Sequence, residues 1–162
     1  MLNIPAKYYV VDIRKTSQLQ YALRAVFQEV GGIDILEFSP NAGSESFVHT
    51  LNVTPENVMD PINGFLLPAI QCVNEVLPEM REKGDGSILF TTGISAVHPI
   101  PAVGNAGIAK SGLRNYLANL HNILKDQGVY VGHLSVGVVI APGTEGDPDL
   151  IAETWYDLSD AP

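Results

Sequence analysis

The chain has 162 residues, 46% of them hydrophobic and 17% charged, with a formal net charge of −9. That balance describes a globular domain with a sizeable core and excludes a disordered chain. The acidity argues against nucleic acid or an anionic membrane surface as partner, because both need clustered Lys and Arg.

A single cysteine, Cys72, permits no internal disulfide and fits a reducing compartment. No basic segment leads into an apolar stretch after Met1, and no uncharged apolar run is long enough to span a bilayer. The expectation is a cytoplasmic protein of one domain, residues 1–162. His49, His121 and His133 share no metal-site spacing, and Cys72 has no cysteine partner, so a metal centre is not expected.

Residues 1–7 read as an irregular lead. Tyr8-Tyr-Val-Val-Asp12 is aromatic and β-branched and predicts a buried strand. Thr16 or Ser17 can cap a helix whose apolar stripe is Leu19, Ala22, Leu23, Val26, Phe27 and Val30, ended by Gly31-Gly32. A second strand is expected at 33–38, with Glu37 as an odd acid inside it. A polar loop then runs from Asn41 to Asn52. Thr54-Pro55-Glu56 opens a helix, which continues to about Arg81 with interruptions expected at Pro61 and Pro68.

The organising stretch is 86–140. It reads as a strand at 87–92, a small-residue loop, a helix to about Gln127 and a strand at 129–135, which together make a parallel crossover unit. A last helix is expected at 149–158. Strands alternating with helices four times over predict an α/β fold with a mainly parallel sheet in three layers. In such sheets ligands sit beyond the carboxyl ends of the strands, so loops 13–16, 39–54, 92–104 and 136–148 are the ones to watch. Gly104-Asn-Ala-Gly107 could offer N–H groups to an anion, or permit close packing. Ser95 and His98 place a hydroxyl and an imidazole three residues apart in the loop after the central strand.

In order along the chain these segments resemble the short-chain dehydrogenase/reductase family over about residues 8–158. Asp12 after an apolar run is similar to that family's adenine-contacting aspartate. Gly32-Ile-Asp-Ile-Leu36 is similar to the strand before its Asn-Asn-Ala-Gly turn. Val76-Leu-Pro-Glu-Met80 with Gly86-Ser-Ile-Leu-Phe90 resembles its helix end and central strand. Ile108-Ala-Lys110-Ser-Gly-Leu113 resembles its catalytic helix.

The resemblance implies a Rossmann-like fold, incomplete at its start, and NAD(P)-dependent oxidoreductase chemistry on a carbonyl or alcohol. It also implies NAD or NADP as cofactor, a small-molecule substrate and a homo-oligomer. Cofactor-binding positions by resemblance are Asp12, Ile13, Ser39, Lys110 and Val138; catalytic positions are Lys110 and Ser95.

Departures from the family pattern shape the functional expectation. The tyrosine four residues before the lysine becomes Ala106, the serine falls near Gly93, and the asparagine maps to about Phe65, with Asn63 close by. An Asn41-Ala-Gly43 arrives two residues late, and residues 1–31 supply no glycine-rich phosphate turn. The expectation is therefore impaired hydride transfer. The alternative is a non-catalytic association module using helices 55–81 and 105–127.

Overall fold

The computed structural model describes residues 5–40 and 46–159. Helix α1 (Thr16–Val30) leads to strand β1 (Ile35–Phe38). Helix α2 (Pro55–Pro61), a wide π turn (Ile62–Leu66) and helix α3 (Leu67–Lys83) then lead to β2 (Gly86–Gly93). Helix α4 (Gly104–Leu124) leads to β3 (Val129–Val136), and α5 (Pro148–Ser159) follows. The sheet is parallel throughout in the order β1-β2-β3, with Leu36 opposite Ile88 and Ile88 opposite Val131.

One face of the sheet is closed by α1, α3 and α4. Leu36, Phe38, Ile88, Phe90, Val129 and Val131 pack there on Leu19, Val73, Val76, Met80, Leu113 and Leu117. Phe38 and Phe90 lie across the two strands with ring centroids 5.3 Å apart. The opposite face is covered by α5, whose Trp155 sits over Gly132 and donates its Nε1–H to Thr91 Oγ1 at 2.8 Å. The result is a three-layer α/β arrangement of the Rossmann type.

The expected interruption by proline is present and has a local cause. Pro68 has no N–H, and its ring disfavours the carbonyl four residues back, so the preceding turn widens. Leu67 N–H reaches back to Ile62 O across that turn. Thr54 forms the expected cap: its hydroxyl accepts from Asn57 N while the Asn57 side chain accepts from Thr54 N. At the bottom of the sheet Gly128 adopts φ +73, and a side chain there would run into Gly84 O.

One predicted element is overturned. Residues 8–12 form no strand; Tyr8 and Val10 are 88% and 90% exposed. A β-branched run becomes a strand only where a neighbour accepts its ladder of hydrogen bonds. Among the described residues β1 pairs with β2 alone, so the strands number three and not four. Glu37 is exposed at the sheet end, not buried. Among the described residues no helix is long and apolar enough to cross a membrane.

Candidate functional site

Parallel strands deliver all their carboxyl ends to one edge, where the following loops converge. Ser39 leaves β1 there, Ile94-Ser95 leaves β2, and Val138 lies two residues beyond β3. Helix α1 runs back to the amino end of β1, so the turn at Asp12 and Ile13 that starts it belongs to the same edge. An Arg14–Asp60 ion pair at 3.6 Å ties that turn to α2.

At the centre of this edge is Lys110 of α4. Its Nζ stands 4.8 Å from the Phe65 ring centroid and 5.1 Å from that of Phe47. Such contacts stabilise an ammonium by about 0.5–1 kcal/mol each at exposed sites. Gly93 lies alongside; a Cβ there would come within 3.4 Å of Nζ. Burial holds the Lys110 amine below the ordinary lysine range. Among the described residues no oxygen bonds to it, and since no buried side-chain polar atom lacks a partner, the amine reaches solvent.

Asn105 organises the surroundings. It is fully buried and makes hydrogen bonds on both sides of its amide. Nδ2 donates to Ser46 O at 2.9 Å and Asn57 O at 3.1 Å, and Oδ1 accepts from Val48 N at 3.0 Å. Ser46 and Val48 flank Phe47, so Asn105 holds the loop that presents that ring to Lys110. Gly104 permits the approach, since a Cβ there would meet Thr50 Cα at 2.6 Å. Of the two readings of Gly104–Gly107, close packing is therefore the one the geometry supports.

The remaining candidates are dispersed. Ser95 is buried and lines a separate cavity of about 850 Å³ with His49, His98, Gly104, Gly107, Ile108 and Ser111, and Lys110 does not line it. No hydrogen bond joins Ser95 to His98. Asp12 is exposed, its Oδ1 accepting from Arg14 N at 3.1 Å, so one oxygen serves the turn into α1. Ile13 is half-buried in that turn. The Ser39 hydroxyl donates to Glu37, and Val138 is exposed. Asn41-Ala-Gly43 lies outside the described residues. A second cavity of about 320 Å³ beside β3 is lined by Arg114, His121 and His133. There His133 Nε2 is 2.9 Å from Thr92 Oγ1, and burial, together with Arg114, holds His133 below the ordinary histidine range.

Sequence reasoning missed Asn105, Phe47 and the aromatic role of Phe65. A buried asparagine among small residues at a helix start was a readable signal for the first. Phe47 lies 63 positions from Lys110, beyond the reach of any periodicity.

The short chain dehydrogenase family matches residues 2–148. Dehydrogenase/reductase SDR family member 4 of Bos taurus is 34% identical over 110 residues, covering 67% of this chain and 39% of its own. An uncharacterized oxidoreductase of Staphylococcus epidermidis is 28% identical over 145 residues, covering 90% of this chain and 62% of its own. Among solved structures, an alcohol dehydrogenase from the archaeon Thermococcus sibiricus complexed with 5-hydroxy-NADP superposes with a TM-score of 0.79 at 22% identity. It covers 96% of this chain and 68% of that one.

The chain belongs to the short-chain dehydrogenase/reductase family. It spans 39% and 62% of the length of those two relatives.

Proposed function

We propose that this chain forms the NAD(P) side of an oxidoreductase site of the short-chain dehydrogenase type, with hydride transfer to a carbonyl impaired for want of a proton donor. The observation that carries the reading is Ala106, fully buried and four residues ahead of Lys110 on α4. A methyl group neither gives nor takes a proton, and a positioned acid is worth about 10²–10⁴-fold in rate.

The residues present fit a dinucleotide at Lys110, whose amine is without an oxygen partner among the described residues and opens to solvent at the strand ends. Lys110 would donate to a ribose hydroxyl, Asp12 would face the adenine, and Ile13, Ser39 and Val138 would line the groove. When bound, the dinucleotide supplies the hydride. Phe47 and Phe65 shield the far side of the amine from water, which strengthens its remaining hydrogen bonds. Ser95, the nearest hydroxyl after β2, would be the substitute for polarising a carbonyl.

NADPH consumption in the presence of a reactive ketone tests this reading. Wild-type protein is expected to show no turnover above the protein-free rate. The double variant Ala106→Tyr with Phe65→Asn restores a phenol and vacates the volume of a ring, and is expected to raise turnover by at least about tenfold. Wild-type turnover in the usual enzyme range of about 1–10³ s⁻¹ would contradict the proposal.

A second reading, an association module, draws on exposed apolar side chains of the helices named for it: Met59, Leu67, Ile108 and Ile123. Sedimentation across a concentration series separates the two. A concentration-dependent homo-oligomer without dinucleotide binding favours the module.

A further inference from the structure

We propose that the Lys110 amine condenses with small aldehydes to form an imine, an activity that needs no dinucleotide and is independent of the function proposed above. The chain has five lysines, and their surroundings differ in a way that singles one out. Lys7 is paired with Glu29, Lys15 lies 3.9 Å from Asp12, and Lys83 contacts Glu79 at 2.6 Å and Asp34 at 3.4 Å. For Lys7 and Lys83 those carboxylates raise the amine above its ordinary range. Lys125 is exposed on the turn after α4.

Lys110 alone is half-buried, faces two aromatic rings and, among the described residues, has no oxygen partner. An amine partly withdrawn from water and lacking a counter-charge gives up its proton more readily, and only the unprotonated amine is a nucleophile. The strand end beside it adds no side chain: Gly93 lies against the amine, where a Cβ would come within 3.4 Å of Nζ.

The reaction balances without a redox partner. The amine lone pair attacks the carbonyl carbon, a C–N bond forms, the C=O π bond opens, and one nitrogen proton passes through water to the oxygen to give a carbinolamine. A proton taken from solvent lets its hydroxyl leave as water while the nitrogen lone pair forms C=N, and the protonated imine returns that proton on deprotonation, so aldehyde and amine give imine and water. The two rings do not oppose this step. They favour the ammonium over the neutral amine, but the protonated imine is also a cation at the same nitrogen and keeps the same contacts. With Phe47, Phe65, Gly93 and Ala106 around the amine or its helix turn, the fitting substrates are small, uncharged aliphatic aldehydes.

The test is reductive trapping on the whole chain. The protein is incubated at neutral pH with propanal and cyanoborohydride, without NAD(P), and the alkylated lysines are mapped by peptide mass spectrometry against time. Lys110 is expected to react severalfold faster than the exposed Lys125. A Lys110 rate no greater than that of Lys125 overturns the proposal. Unfolding the protein in urea before trapping is the second measurement. Rates that converge after unfolding support a reactivity made by the fold, whereas a preference that persists in the unfolded chain contradicts it.

Discussion

The helix-covered face of the sheet and its carboxyl edge have the same backbone order but different chemistry. On the face, Phe90, Ile88, Leu113, Leu117, Val73 and Val76 are sealed together, and nothing polar is asked of them. On the edge, the positions that resemble a serine, an asparagine and a tyrosine carry Gly93, Phe65 and Ala106, while Lys110 remains. Packing and site chemistry are separable: apolar side chains hold strands and helices in register whatever stands at their ends, whereas proton transfer needs particular atoms at particular places.

Breaking the face should have the largest effect. Phe90→Ala removes a fully buried ring from the centre of the sheet and should lower stability by about 3–5 kcal/mol, read from urea unfolding. Asn105→Leu leaves Val48 N, Ser46 O and Asn57 O, all half-buried, without their partner and should lose about 3 kcal/mol. Because it also frees the loop carrying Phe47, it should shift the Lys110 ammonium resonances, which Phe90→Ala should not do at equal folded fraction.

Ala106→Tyr alone inserts a ring where no surface is exposed and should destabilise by about 1–3 kcal/mol. On the other face, Trp155→Phe keeps the aromatic contact but leaves Thr91 Oγ1 without its donor, a loss of about 1 kcal/mol by the same unfolding measurement.

A pH series sharpens the comparison further. His133 is held below its ordinary value of 6.5 in the fold, chiefly by burial. The unfolded chain therefore takes up that proton first. This contribution to stability is complete above about pH 6.5 and is lost as pH falls through the folded value of His133. His133→Gln should remove that part of the acid slope in unfolding free energy, and a slope unchanged by the substitution would refute the assignment.

Much of the scaffold was legible because it obeys short-range rules. The strands at 87–92 and 129–135, the crossover helix, the Thr54 cap and the proline interruption each follow from residues within a few positions of one another. The expected strand at 8–12 failed because its β-branched pattern describes what a ladder would accept, not whether a ladder is there. At the site, Lys110, Ala106 and Gly93 were readable by resemblance. The aromatic cradle was not, since Phe47 and Phe65 reach Lys110 through the fold, and Asn105 places the first of them. Ser95 was named for its hydroxyl, and the fold places it in a cavity that Lys110 does not line.

The central claim, that Lys110 offers a dinucleotide a working hydrogen-bond donor while the proton donor beside it is gone, is tested most directly by NADPH fluorescence titration of the wild-type chain and Lys110→Met. The expected result is saturable micromolar binding by the wild type, weakened about tenfold or more in the variant, as loss of a hydrogen bond from a charged group implies. Equal affinity of the two proteins, or no saturable binding by the wild type, would contradict it.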